Sequence, residues 1–425
     1  MQKKVAFKTL GCRLNQYETE ALATSFNEKG YEVVDFNHAA DAYVINTCTV
    51  TGQSDQKSGY YINRAGKRNN KPVLVVTGCM VNNHEERLKE RDVISYLVKN
   101  EHKTSIPNLL DAHFRGEIFP EQFLKQDSFS YGSAKQMFHT RSMIKIQDGC
   151  DNMCTFCIIP TVRGRAVSRA PEQVISNIRH NLENGFKEIV LTGVNIGRYF
   201  YEGKTFENLI EKILDMPEDF RLRISSLEPD GFTDRFANLF QHEKLMPHLH
   251  LCLQSGSDKV LLRMRRMYNV QTYMNVIETF KTRYPDFNFT TDIIVGFPGE
   301  TNEDFKQTVK IAHQAEFSHI HTFKYSRRTG TRADRMTDHI NENLKEERSK
   351  IIRDLSDENK LNYLKRFIGK TEKLLTETHS NEGFHGYGEH YIPIISTRAT
   401  QKNQIIDTKL NTLTFINGEP FLTEY

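Results

Sequence analysis

Three cysteines, Cys150, Cys154 and Cys157, stand within eight positions in the run Gly149-Cys-Asp-Asn-Met-Cys-Thr-Phe-Cys-Ile-Ile-Pro160. This Cys-x3-Cys-x2-Cys spacing puts three thiolates on one short loop. They can hold three irons of a four-iron, four-sulfur cluster and leave the fourth iron without a protein ligand. An open coordination site of that kind can bind a substrate directly. A structural zinc is the competing reading, and it needs a fourth ligand and usually paired Cys-x2-Cys spacing. No second Cys-x2-Cys is present, and His139 and His180 are not placed as obvious ligands.

A second set is spread along the first third of the chain. Cys12, Cys48 and Cys79 each follow an apolar run, at 4–10, 42–46 and 72–77, with helical patterns at 16–29 and 55–68 between them. Alternating strands and helices predict a doubly wound parallel sheet. The carboxyl ends of its strands share one edge, so these three thiols are expected to converge in space. Packing alone is the plainer role for a free cysteine, but a strand-end position in all three cases argues against it. Two incomplete ligand sets in one chain imply that one activates a cofactor and the other holds something for delivery.

The elements that must position them divide the 425 residues into more than one core. Residues 101–135 read as a linker. Strand patterns then recur at 141–147, 188–192, 221–226, 248–254, 289–295 and 319–325, with helices at 171–184, 206–215, 233–242, 271–284 and 303–315. Six strand–helix units predict an open, partial (β/α)6 barrel, with the Cys150 loop following its first strand at the carboxyl face. On strand 248–254, His248, His250, Cys252 and Gln254 share one face and Leu249, Leu251 and Leu253 the other. A charged helix at 343–366 follows. Short strands at 373–378, 391–397, 404–410 and 412–416, punctuated by Gly383, Gly386, Gly388 and Gly418, predict a small β-barrel of the oligonucleotide-binding kind. The fold class is therefore α/β multidomain, with units 1–130, 136–367 and 368–425.

Charged residues make up 26% and apolar residues 38% of the chain, the balance of a soluble globular protein. No apolar run approaches a membrane span, and the start is a short basic β-like segment without the stretch of a signal peptide. A cytoplasmic monomer with reduced cysteines is expected. A net charge of +3 permits a nucleic-acid partner without requiring one.

The Cys150 loop, with the aromatic Phe156 before its last cysteine, resembles that of the radical S-adenosylmethionine (SAM) superfamily. The resemblance implies that the amino and carboxylate groups of SAM chelate the open iron, and that reductive cleavage yields a 5′-deoxyadenosyl radical. Cofactor contacts are expected at Phe156, Thr192, Gly193, Asn195, Ser225, Gln254, Ser255, Asp292, Val295 and Phe297. The wider set is Gly11-Cys-Arg-Leu-Asn-Gln-Tyr-Glu18, Asn46-Thr-Cys-Thr-Val-Thr51, Thr77-Gly-Cys79, Ile158-Ile-Pro…Arg163-Gly-Arg and Leu253-Gln-Ser-Gly-Ser257. It resembles the methylthiotransferases, whose three parts are a methylthiotransferase domain, a radical SAM barrel and a TRAM domain.

That resemblance implies two [4Fe-4S] clusters, one on Cys150, Cys154 and Cys157 and an auxiliary one on Cys12, Cys48 and Cys79. It implies that one SAM methylates a cluster-bound sulfur and a second makes the radical that opens an unreactive carbon. Gly-Cys-Arg-Leu-Asn-Gln-Tyr-Glu-Thr-Glu20 is nearest to the enzymes acting on C2 of N6-threonylcarbamoyladenosine at tRNA position 37. Those usually carry Gly-Cys-Lys-Val-Asn; Arg for Lys and Leu for Val are mild departures, and Cys252 stands where proline is common. Isopentenyladenosine-37, whose enzymes carry Gly-Cys-Gln-Met-Asn, and an aspartate of ribosomal protein S12 are the alternatives within the same chemistry. A non-catalytic iron–sulfur RNA-binding or redox-sensing protein is the alternative outside it. Implied partners are a tRNA anticodon stem-loop, an electron donor of flavodoxin or ferredoxin type, and a sulfur source. RNA contacts are expected from Asn15, Gln16, Tyr17, Arg163, Arg165, Arg265 and Arg266. From Lys370 onward five Lys/Arg face seven Asp/Glu, an unexpected acidity for an RNA-binding unit.

Overall fold

The computed structural model describes residues 2–69, 71–120, 128–131 and 138–425. Strands Lys4–Thr9, Glu32–Val34, Ala42–Thr47, Val73–Gly78 and Tyr96–Val98 form one parallel sheet. Its spatial order puts Lys4–Thr9 between Glu32–Val34 and Ala42–Thr47, then Val73–Gly78 and Tyr96–Val98. Of the three inner strands, Ala42–Thr47 and Val73–Gly78 are buried throughout, because helices cover both faces. Val5, Phe7, Val44 and Val75 point into one core; Ala6, Tyr43, Ile45, Leu74 and Val76 point into the other. The doubly wound sheet expected from the sequence is present. Its two edge strands, three residues each, are too short to carry an alternation signal.

Each cysteine of the first set sits where a strand gives way to the next element. Cys12 caps the helix Arg13–Glu28, Cys48 follows Ala42–Thr47, and Cys79 opens the helix Cys79–Lys89, which the sequence reading did not anticipate. The supposed linker 101–135 is corrected in part. Asn100–Ser105 is a 3-10 turn and Ile106–Arg115 a helix whose Ile106, Leu109 and Leu110 belong to the first core. The rest of that stretch, and with it the boundary between the first two units, falls largely outside the described residues.

The central unit carries six main parallel strands, Ser142–Lys145, Glu188–Thr192, Arg221–Ile224, His248–Leu251, Asn288–Val295 and His319–Lys324. They pair as two arcs. Arg221–Ile224 pairs with Glu188–Thr192, and two residues later Ser226–Leu227 pairs with His248–Leu251, so one strand bends at Ser225 to join both arcs. Leu249, Leu251 and Leu253 pack outward into the large core beneath the helices, as the alternation predicts. The helix Glu342–Lys365 closes the unit. The C-terminal part is a six-stranded, mainly antiparallel sheet, and its edge strands Ile405–Lys409 and Thr412–Ile416 are consecutive in sequence. No helix among the described residues is long and apolar enough to cross a membrane.

The first unit is joined to the barrel by buried charge. Glu18, 1% exposed, lies on the helix Arg13–Glu28 and takes Lys103, Lys145 and Arg163 at once. Lys145 Nζ is 3.1 Å and Arg163 3.0 Å from Glu18 Oε1. Asp148 completes the group, 2.5 Å from Lys145 and 3.1 Å from Arg163. Burial opposes ionisation of Glu18, but Arg163, Lys103 and Lys145 outweigh it and hold the carboxyl well below its ordinary value of 4.5. A depressed folded value stabilises the fold fully above about 4.5 and loses that contribution as the pH falls below it. Glu18→Gln leaves buried cations without their counter-charge. A loss of about 3–5 kcal/mol is expected, seen as a lower urea midpoint at pH 7. The wild-type advantage over the variant should shrink below about pH 4.5. A variant with an unchanged midpoint would show that the pairing adds nothing to the fold.

Candidate active site

The two cysteine sets are assembled by backbone contacts too close for side chains. Gly11 has φ +93°, and a Cβ there would meet Cys48 Sγ at 2.8 Å. Asn15 Nδ2 donates to the carbonyls of Leu10, 2.8 Å, and Thr47, 3.0 Å, tying the Cys12 loop to the Cys48 loop. Cys48 is fixed at both backbone groups by the Ser58 hydroxyl, and Asn100 Nδ2 lies 3.7 Å from Cys79 Sγ. Cys48 and Cys79 are buried, while Cys12 is solvent-accessible at the floor of a deep cleft. Surrounding protein pushes the Cys12 thiol up, with Arg163 opposing; Cys48 is also pushed up by burial.

In the second set, Gly149 has φ +67° and sits so close to the returning chain that a Cβ would lie 2.0 Å from the Arg165 carbonyl. The Cys150 amide donates to the Gly164 carbonyl, and the Asn152 amide lies 3.4 Å from Cys150 Sγ. Arg266 extends a guanidinium to Cys154 Sγ at 3.1 Å, braced by Glu228 at 2.8 Å and by the ring of Tyr268. Burial pushes the Cys157 thiol up to about 12. From Cys157 the short helix Ile159–Arg163 crosses to the first unit, where Ile158 and Val162 pack on Cys79 and Arg163 reaches Glu18.

Each set offers three thiols, the number that a four-iron cluster with one open iron takes. In neither do all three Sγ atoms lie within 4.8 Å of one another, whereas a single zinc with Zn–S near 2.3 Å draws its sulfurs to within about 4 Å. N–H groups reach sulfur in both sets, at Cys79, Cys150 and Cys154, and three buried cations, Lys103, Lys145 and Arg163, face two carboxylates beside the first set.

A cavity of about 1420 Å³ opens between the units. Cys12, Cys48 and Gln16 line it from the first unit, Thr192, Gly193, Ser225 and Asp292 from the barrel, and Tyr391 from the C-terminal sheet. Other expected cofactor residues stand behind that wall. Asn195 is buried at a turn pinned by Gln147, whose Oε1 accepts from the Val194 and Asn195 amides while its Nε2 donates to the Gly149 carbonyl. Gln147 was not singled out by sequence; its role is set by two backbone turns that only the fold brings together. Gln254, at φ +67°, exchanges backbone hydrogen bonds with Asp292 and Ile294, and Ser255 contacts Thr308. Val295 and Phe297 have enclosed side chains, and Phe156 packs edge-on to Phe297 at 6.4 Å.

The expected RNA contacts separate into two groups. Gln16 faces the cavity, and Arg165 and Arg265 are exposed, Arg165 beside Asp151. Asn15, Tyr17, Arg163 and Arg266 are instead committed inside the protein. Asn15 ties the cysteine loops, and Tyr17 packs on Tyr131 at 5.5 Å in the first core. Arg163 belongs to the Glu18 group and Arg266 to Cys154. Spacing marked these residues as basic or polar beside a cysteine; it could not show which way they turn.

His250, Cys252 and Asp292 place ligand atoms within 4.8 Å of one another on the barrel wall. Both nitrogens of His250 are already engaged, by Asp292 at 3.2 Å and Thr290 at 3.0 Å. Burial and neighbouring His319 push His321, beside them, down to about 4. Tyr391 enters from the C-terminal sheet in the left-handed region, φ +59°, and its ring stacks between His248 at 4.7 Å and Tyr387 at 4.6 Å. Its hydroxyl meets Arg141 at 3.2 Å and Arg13 at 3.4 Å. Burial opposes ionisation, yet Arg141 and Arg13 hold this phenol below its usual range.

Residues 4–98 match a family described as uncharacterized protein family UPF0004, and residues 144–312 match the radical SAM superfamily. The threonylcarbamoyladenosine tRNA methylthiotransferase MtaB of Bacillus subtilis is 38% identical, the alignment covering 92% of this chain and 90% of that one. The MtaB of Thermotoga maritima is 36% identical with the same coverage. The tRNA-2-methylthio-N(6)-dimethylallyladenosine synthase of Bartonella henselae is 31% identical over 97% of this chain and 93% of its own. Among solved structures, the radical SAM methyltransferase TsrM of Kitasatospora setae has a TM-score of 0.58 at 15% identity, covering 79% of this chain and 77% of that one. That likeness concerns the fold alone. With a radical SAM match over residues 144–312 and relatives aligned over nine-tenths of its length, the chain belongs to the MtaB-like radical SAM methylthiotransferases.

Proposed function

We propose that this chain transfers a methylthio group to C2 of N6-threonylcarbamoyladenosine at position 37 of tRNA, using one SAM as methyl donor and a second as radical source. The observation that carries this reading is the pairing of two three-thiol sets across the Ile159–Arg163 helix, one of which opens through Cys12 and Cys48 onto the cavity between the units. Clusters on these sets would supply the electron for SAM cleavage at Cys150, Cys154 and Cys157 and the sulfur-holding site at Cys12, Cys48 and Cys79. The chain's own residues do the rest. Thr192, Gly193, Ser225 and Asp292 form a barrel wall against which a cofactor can lie, with Gly193 backed by Gln147 so closely that a Cβ would meet its carbonyl at 2.7 Å. Cations outnumber carboxylates on the cavity wall, Lys57, Arg141, Lys324 and Arg328 among them, which suits a polyanionic anticodon loop. The exposed Arg165 and Arg265 add charge outside it. A TRAM role for residues 368–425, an electron donor of flavodoxin or ferredoxin type and a separate sulfur source belong to the same proposal.

Nucleoside mass spectrometry of tRNA from cells lacking the gene tests the substrate. Loss of 2-methylthio-N6-threonylcarbamoyladenosine is expected; loss of the isopentenyl counterpart instead would transfer the assignment to that base. Cys12→Ala should lower iron from about eight to about four per chain and abolish methylthiolation while reductive SAM cleavage persists. Cys154→Ala should abolish both, and identical behaviour of the two variants would refute the division of labour. Arg266→Gln removes a positive charge from Cys154. The reduction potential of that cluster should fall, because the reduced state carries more negative charge; an unchanged potential in an EPR-monitored titration would remove Arg266 from this role.

A further inference from the structure

Arg13 directly follows Cys12 and faces the cavity. Its guanidinium meets the Tyr391 hydroxyl at 3.4 Å, and among the described residues no carboxylate forms an ion pair with it. The other arginines of this wall are compensated: Arg141 by Glu377 at 2.6 Å, Arg328 by Asp55 at 2.5 Å, and Arg327 by Asp334 at 2.8 Å. Arg13 is therefore a half-buried cation held toward a cavity without a counter-ion, a state that an entering anion relieves. Tyr391, clamped between His248 and Tyr387, fixes where that guanidinium sits and shares its hydroxyl with Arg141.

The substrate class just proposed carries such an anion. The threonylcarbamoyl arm on N6 ends in a carboxylate, whereas an isopentenyl arm is neutral hydrocarbon. In adenine, C2 and C6 flank the same ring nitrogen, N1. A base that offers C2 to the Cys12, Cys48 and Cys79 site therefore sends its N6 arm out close by. Arg13 is one residue, about 3.8 Å of backbone, from Cys12.

Resting on the proposed activity, we infer that Arg13, positioned by Tyr391 and backed by Arg141, binds the threonyl carboxylate of the modified adenosine and so selects the substrate. A guanidinium pairs bidentately with a carboxylate, so the arm gains direction as well as affinity. Isopentenyladenosine gains nothing from this contact and leaves the cation exposed to an apolar group.

The test uses the cluster-replete protein and three anticodon stem-loops. One carries threonylcarbamoyladenosine, one its methyl ester with the charge removed, and one unmodified adenosine; dissociation constants come from fluorescence anisotropy. Wild type should prefer the free acid over the ester by about tenfold or more, the scale of one charge-assisted hydrogen bond. Arg13→Gln should erase that preference while its affinity for the unmodified loop stays within about twofold of wild type. Arg13→Lys should keep part of the preference, and iron content checks that both variants retain their clusters. Equal weakening of all three loops by R13Q would make Arg13 a phosphate contact and overturn the inference, as would a preference that survives R13Q. A wild type that ignores the ester overturns it too, while methylthiolation of the threonylcarbamoyladenosine loop, assayed separately, would still uphold the proposed activity.

Discussion

The enclosed pairing of Glu18 with Lys103, Lys145 and Arg163 is the constraint on which the rest of the molecule depends. Glu18 and Lys103 come from the first unit, Lys145 and Arg163 from the barrel, so the charge cannot be satisfied unless the two units meet in one orientation. Buried ion pairs contribute little net stability compared with apolar packing, but they penalise misalignment severely. Asn15, one helical turn before Glu18, both holds the Cys12 and Cys48 loops together and accepts from Arg163 at 2.7 Å. The geometry of one cysteine set is thereby coupled to that of the other.

The C-terminal sheet extends this arrangement. Its acid excess is puzzling for a unit expected to meet RNA, and the structure accounts for much of it. Glu377 pairs with Arg141 and Glu419 with Lys360, both anchoring the sheet to the body of the protein, while Glu372 holds His390. Arg223, paired with Glu188 inside the barrel, reaches across to the carbonyls of Gly388 and Glu389. These contacts deliver Tyr391 to the cavity wall, so the sheet contributes to the site itself.

Much of this was legible in the sequence, for definable reasons. Parallel strands buried on both faces write continuous apolar runs, and cysteines placed just after them had to share an edge. Alternation on 248–254 correctly separated the leucines from the histidine face. What escaped was direction and partnership. Arg163 and Arg266 look like surface cations because their carboxylate and thiol partners are 145 and 112 positions away. The helix Ile106–Arg115 was missed for a related reason: Lys103 before it appears polar until Glu18 is known to meet it. Gln147 offered no signal at all, since its value lies in joining the turn at Asn195 to the loop at Gly149.

The helix Ile159–Arg163 also places a demand on length rather than on composition. Five residues of helix rise about 7.5 Å and each turns about 100°. It begins beside Cys157 and ends with Arg163 in the Glu18 group, so one inserted or deleted residue would swing the guanidinium roughly a quarter-turn away from its carboxylates. Side chains along this stretch can change within the limits of packing, but its register cannot. The spacing between the two cysteine sets is thus built into the chain as a residue count.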